Sequence, residues 1–218
     1  MNVLFQDASF VVLDKPAGLK VHPGPAGGAS VEDIFPTLSR RREGPWLAHR
    51  LDADTAGCLV VALRKAALLA AQAAFAAGQA EKTYWAVVQG APSADAGTIE
   101  ASLLKRAEKT GWRMVTDPAG QNAITDWHVL GRAAGLAWLE LRPRTGRTHQ
   151  VRAHCAAIGC PILGDPIYGA TRPEQPLQLL ARSIRLPLDP VVQATAPVPA
   201  HLRANLASLG YLDSTGHT

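Results

Sequence analysis

An α+β fold is what this sequence predicts: a large mixed, mostly antiparallel sheet flanked by helices and loops, in a single domain over residues 1–218. Two observations carry that expectation. Segments 98–103, 112–116, 123–130 and 136–141 each hold five to eight residues of strand-forming character between turn residues, and strands that follow one another without helices pair antiparallel. Helical periodicity is confined to a few stretches, around 65–77, 148–158 and 199–209, and no internal repeat, low-complexity tract or linker asks for a division of the chain.

In chain order, Phe10-Val11-Val12-Leu13-Asp14 reads as a strand, and Lys15-Pro16-Ala17-Gly18 turns the chain. The alternation over 19–25 suggests a second short strand running into a loop, with 26–28 mobile. Ser30 is placed to cap a short helix over 30–35, with Asp33 at its third position. Residues 58–63 are too apolar for the surface and read as a buried strand. In the alanine-rich helix that follows, Leu68, Leu69, Ala73 and Phe75 are spaced to face the core, and Gly78 ends it. Residues 82–89 form a strand in which Tyr84, Ala86 and Val88 share one face. The helix over 148–158 ends at Gly159, with Val151, Cys155 and Ile158 toward the core and His149 and Arg152 on an adjacent face. Loops are expected at 161–169 and 173–177, and a last strand at 183–186.

The chain is 47% hydrophobic and 18% charged, which is ordinary for a globular protein. Its net charge is +4, and 16 of its 22 basic residues are arginine, a bias that suits phosphate and base contacts because the guanidinium binds bidentately and stacks. Arg142, Arg144, Arg147 and Arg152 fall in eleven residues without Asp or Glu, a candidate phosphate-binding face. The cluster Arg40-Arg41-Arg42 reads first as a solvated loop. No run approaches the roughly 18 apolar residues of a membrane span, and the first residues lack the marks of a signal peptide. Three cysteines, Cys58, Cys155 and Cys160, are an odd number, and two of them lie in apolar settings that suit reduced, buried thiols. A cytoplasmic protein is the expectation.

The stretch His49-Arg50-Leu51-Asp52-Ala53-Asp54-Thr55-Ala56-Gly57 gathers cations, two carboxylates and a hydroxyl between apolar runs. Polar residues on a turn between core segments are held by the fold and still reach solvent; the plain alternative is a turn that only reverses the chain. Nucleotide hydrolysis, dinucleotide redox chemistry and zinc proteolysis lack their motifs, and His49-Arg50-Leu51-Asp52 is out of register for a kinase catalytic loop. His149, His154, Cys155 and Cys160 match no common zinc spacing. Asp52 and Asp54 lie only two residues apart, poorly placed for a hydrolytic pair. A single carboxylate beside arginines stays ionised and suits a nucleophile or base.

The same stretch resembles the HRLDxxTSG motif of RluA-type RNA pseudouridine synthases, and the resemblance runs along most of the chain. Leu13-Asp14-Lys15-Pro16-Ala17-Gly18 with Val21-His22-Pro23-Gly24 is similar to their opening motif, and Glu81-Lys82-Thr83-Tyr84-Trp85-Ala86 to their KxYxA strand. Gly146-Arg147-Thr148-His149-Gln150-Val151-Arg152-Ala153-His154 resembles their GRTHQIRxH segment, and Gly164-Asp165-Pro166-Ile167-Tyr168-Gly169 their GDxxYG loop. Five motifs stand in the family's order. Two positions depart: Ala56 replaces the usual serine or threonine, and Leu180 stands where relatives often have histidine.

The resemblance implies the pseudouridine synthase catalytic fold and isomerisation of uridine to pseudouridine in tRNA or rRNA, without cofactor or metal. It makes Asp52 the catalytic carboxylate, Tyr84 the tyrosine that stacks on the target base and helps remove its C5 proton, and Arg152 the partner of the catalytic acid. Val151 corresponds to the aliphatic residue beside the base, and Arg50 to the arginine that displaces the target nucleotide from the RNA stack, a step costing a few kcal/mol. His49, Thr55, Arg147 and Thr148 fall within the same motifs as substrate-binding residues. A monomer without an obligate protein partner is expected, and no separate N-terminal S4-like RNA-binding module; regions 26–28, 40–42 and 105–121 are candidates for touching RNA. The competing readings are a non-catalytic RNA-binding protein on the same fold, which would lack the aspartate or tyrosine, and a carboxylate-dependent glycosidase, which would release free uracil.

Overall fold

The computed structural model describes residues 1–24, 27–41, 43–108, 111–169 and 175–212. Pro25 and Ala26, Arg42 of the arginine cluster, Lys109 and Thr110 within 105–121, and the start of the 173–177 loop lie outside the described residues.

The elements in order are β1 (Asn2–Gln6), β2 (Phe10–Lys15), a 3-10 turn (Val31–Ile34) leading into α1 (Phe35–Leu38), β3 (Trp46–Leu47), β4 (Ala56–Ala62), α2 (Lys65–Ala76) and β5 (Glu81–Gln89). They continue as β6 (Ala96–Glu100), β7 (Leu103–Glu108), β8 (Gly111–Thr116), β9 (Ile124–Ala133), β10 (Leu136–Pro143), α3 (Gln150–Ala157), β11 (Leu179–Leu186), β12 (Val192–Thr195) and α4 (Ala200–Ser208). The fold is α+β with a mixed sheet, as the sequence predicts. The chain divides into two compact units, Met1–Thr83 with Leu180–Pro197, and Tyr84–Leu179 with Val198–Thr218.

In the first unit β4 is central, and every one of its residues is buried. One edge pairs antiparallel with β2, Leu59 opposite Leu13. The other edge is shared by β3, at Val61 and Ala62, and by β11, which runs parallel to it at Ala56 and Gly57. A strand enclosed on both edges and both faces has no use for polar side chains. On α2 the buried stripe is Ala67, Leu68, Ala71 and Ala74, while Leu69 is exposed and so is Ala73. The expected core face was thus rotated: small alanines, neutral in a sequence pattern, form the helical stripe that lies close to its neighbours. Residues 19–24 do not form a strand, only a single bridge from Lys20 to Ser30. Pro23 has no N–H to give a ladder and Gly24 has φ +67°. The capping expected of Ser30 holds in its return half, the Ser30 N–H donating to Asp33 Oδ2 at 2.9 Å.

In the second unit β5, β10, β9 and β6 pair antiparallel in that order. Ala86 and Val88 of β5, with Tyr84 packed against them, share a face with Ala137, Leu139 and Leu141 of β10, and this face packs on Val151 and Cys155 of α3 and on Ile162. The period-2 reading of β5 is therefore the one realised. Trp85, Trp138 and Tyr211 meet edge to face, with centroids 4.8–5.8 Å apart. β7 and β8 form a separate two-stranded hairpin anchored by Leu103 and Met114, which pack with Ala123 and Ala153. β7 was not expected, because its exposed positions carry Lys105, Arg106 and Glu108 and only its first residue is buried.

Candidate active site

The predicted site residues are divided between the units: His49, Arg50, Asp52 and Thr55 in the first, Tyr84, Arg147, Thr148, Val151 and Arg152 in the second.

In the first unit the 49–57 stretch is a braced turn. The Thr55 N–H donates to the Asp52 carbonyl at 3.2 Å, and the Gly18 N–H to the Ala53 carbonyl at 2.9 Å. The same Ala53 oxygen accepts from the Lys15 ammonium at 2.6 Å, whose other bonds go to the Pro16 and Leu19 carbonyls at 2.8 and 2.7 Å. Lys15 is fully buried, so three carbonyls take up the three N–H donors of a cation that water does not reach. At the other end, His49 Nε2 accepts from the Val60 N–H at 3.0 Å, and the ring lies 5.1 Å from Phe75. Burial pushes the His49 imidazole down to about 4, with Lys82 adding to the fall; a neutral ring whose Nε2 is an acceptor fits this bond. The loop leaves through Gly57 at φ +109°, where a Cβ would stand 2.3 Å from the Ala181 carbonyl oxygen, so only glycine is accommodated. Within this frame Asp52 and Asp54 are half-buried, Arg50 is exposed and Thr55 is buried.

Burial pulls the Lys15 ammonium down to about 8 against the opposing effect of Asp54 and Asp52. Between about pH 8 and pH 10.4 the unfolded chain then holds a proton that the folded one has released, so unfolding free energy rises with pH, by up to roughly 1.4 kcal/mol per pH unit. Relative to Lys15→Met, wild type should therefore gain stability over that range; Lys82, also pulled down to about 8, and the thiols raised by burial act alike on both proteins. Urea unfolding of both at about pH 7.5, 9 and 10 measures the difference; parallel curves would mean that Lys15 keeps its proton in the fold.

In the second unit Arg152 is buried and donates from Nε and Nη2 to Asp165 Oδ2 and Oδ1, both at 2.8 Å. Asp165 also accepts from the Ile167 and Tyr168 N–H groups at 2.9 and 3.1 Å. Burial opposes ionisation of Asp165, but the Arg152 guanidinium and the two backbone donors outweigh it and hold the carboxyl below its ordinary range. Tyr84 is half-buried on the core face of β5, and Val151 is buried beside it in the same cluster. Gln150 braces the loop before α3: its Oε1 accepts from the Thr145 hydroxyl at 2.7 Å and the Arg147 N–H at 3.0 Å, and its Nε2 donates to the Ile124 carbonyl at 2.9 Å. His154 is tied to the Thr125 hydroxyl and the Ala101 carbonyl, at 2.9 and 3.0 Å.

The expected four-arginine phosphate face is corrected. Arg142 pairs with Glu140 at 2.7 Å, Arg144 with Asp126 at 2.6 Å, and Arg152 with Asp165. The acids come from other segments of the unit or from just before the eleven-residue window, which a count inside it cannot see. Arg147 donates to the Asn122 carbonyl at 3.0 Å and stays exposed, as Thr148 is in part. Asp165 was missed as a functional partner; its signal was the carboxylate in the Gly164-Asp165 loop, which the motif contains without naming its counterion.

Likeness to known proteins, on this α+β fold, defines the class and the family. Residues 9–157 match the RNA pseudouridylate synthase family, and the chain belongs to it. As a member it is an isomerase, an RNA pseudouridine synthase. An uncharacterised RNA pseudouridine synthase of Zymomonas mobilis is 41% identical over 206 residues, 91% of this chain and 94% of that protein. The ribosomal large subunit pseudouridine synthase D of the same organism is 34% identical over 79% of this chain and 57% of its own length. The solved structure of human RNA pseudouridylate synthase domain containing 4 superposes with TM-score 0.81 at 29% identity, covering 95% of this chain and 92% of that one. The two departures from the family motifs, Ala56 and Leu180, are register partners across β4 and β11, and both are buried. Apolar residues on both sides strand no polar group.

Proposed function

We propose that the chain isomerises specific uridines in structured RNA with Asp52 as the catalytic carboxylate. The bracing of the 52–55 turn supports this most directly: bonds from the Lys15 ammonium and the Gly18 N–H to the Ala53 carbonyl fix the turn, and Asp52 stays partly exposed on it. Preorganised groups lose no free energy to reorganisation as charge develops. The carboxylate attacks ribose C1′ or the uracil ring, or assists a glycal-like intermediate; in each route the N1–C1′ bond breaks, C5–C1′ forms, C5 gives up its proton and N1 gains one. Tyr84 stacks on the base and assists at C5, Arg152 matches the basic residue that the family motif assigns beside the catalytic acid, and Val151 packs beside the base. Arg50, exposed on the loop, displaces the nucleotide from its stack, and Arg147 and Thr148 bind the RNA backbone. His49 and Thr55, engaged with the fold or buried, position the loop rather than hold substrate. Asp54 is separated from Asp52 by the family motif alone and is assigned to the turn.

Likeness to a protein named ribosomal large subunit pseudouridine synthase D favours ribosomal RNA, with tRNA the alternative. Three buried, unbridged cysteines suit the reducing cytoplasm. Pseudouridine mapping across total RNA from cells with and without this protein tests the reading. Loss of one or a few ribosomal sites is expected; loss confined to tRNA would move the substrate, and an unchanged map would refute the assignment of a cellular RNA target.

A further inference from the structure

The β7–β8 hairpin carries a tryptophan that the fold does not bury. Trp112 is 41% exposed, although the pleat puts it on the same face of the hairpin as buried Leu103 and Met114. His149 stacks on it, ring centroids 4.9 Å apart and planes inclined by 23°. The Lys105 ammonium lies 4.4 Å from the indole centroid. Of the hairpin's described cations, Arg106 and Arg113 pair with Asp117 and Glu108, while Lys105 has no carboxylate partner among the described residues. His149 takes φ +52°, a left-handed conformation that residues other than glycine seldom adopt, and such residues cluster at functional positions. Its Nδ1 lies 3.2 Å from the Tyr168 hydroxyl, which accepts from the Met114 N–H at 3.0 Å. The Tyr168 ring in turn lies 5.4 Å from the Arg152 guanidinium. The hairpin, the stacked rings and the Arg152–Asp165 pair therefore form one connected set.

We propose that Trp112, held by His149, is a stacking platform for an unpaired RNA base near the target uridine, with Lys105 supplying the adjoining phosphate contact. A cation resting on an exposed indole is weakly held and can swing to a phosphate, whereas a stacked base gains more and needs no particular sequence. A base within a duplex has its faces covered by its neighbours, so the platform selects single-stranded or looped RNA. The inference rests on the chain's action on RNA, but its test reads binding alone and so can fail without touching the role of Asp52.

The probe is a fluorescein-labelled single-stranded RNA of about 12 nucleotides and mixed sequence, against the same strand annealed to its complement, titrated by anisotropy with the full chain. Trp112→Ala should weaken binding to the single strand about tenfold and to the duplex less than about twofold, and Trp112→Phe should retain most of the affinity. Lys105→Ala should weaken both probes alike and lower the salt slope by about one. Unchanged affinity of Trp112→Ala for the single strand would overturn the proposal, as would equal losses on strand and duplex, or wild type binding the duplex as well as the strand.

Discussion

Turnover by Asp52→Ala should fall roughly ten-thousandfold or more, the scale seen when a nucleophile or its essential partner is removed. The bonds that fix the turn use the Asp52 and Ala53 carbonyls and the Lys15, Gly18 and Thr55 donors, so deleting the carboxylate leaves the loop in place. Melting temperature should stay close to wild type, and RNA affinity within a few-fold. Asp54→Ala is the matched control: the same charge is lost two residues away on the same turn, and most activity should remain. Tritium released from labelled uracil C5 reports the reaction, and chromatography of the digested RNA reports the product. Substantial turnover by Asp52→Ala would sink the assignment; free uracil from wild type in place of the isomer would transfer it to a glycosidase.

How much was legible depended on whether the signal was local. β4 could be read from its own residues because a strand buried on every side is apolar throughout, and β5 because Tyr84, Ala86 and Val88 alternate. The short edge strand β1 and the polar β7 give no such pattern, and pairing with neighbours creates them. Residues of the 49–57 stretch were identifiable, but their brace was not: Lys15 in isolation reads as a surface lysine, and only the fold reveals it fully buried among three carbonyls. The charge balance of the arginines failed for the same reason, since ion pairs join residues by space. Asp126 lies 18 positions from Arg144 and still neutralises it.

The Arg152–Asp165 pair is where the two uses of a buried charge can be separated. Asp165→Ala leaves a guanidinium at 3% residue exposure without its bidentate acceptor, which should cost about 3–5 kcal/mol and lower the melting temperature by roughly 10 °C. Because the fold depresses the Asp165 pKa, its contribution is complete above the unfolded value near about 3.9 and drains away as pH falls through the lower folded value; wild type should therefore lose more stability in acid than Asp165→Ala, which keeps only the smaller loss from groups such as Asp126. Replacing both partners, Arg152→Met with Asp165→Leu, removes the stranded charge and should recover most of the stability, as apolar substitution of a buried pair often does. Activity should not return with it, because Arg152 is proposed to take part in the chemistry. Calorimetry and tritium release on the same double variant give the two readings independently, and a stable double variant with wild-type turnover would take Arg152 out of the chemistry and leave the pair a support for the 164–169 loop.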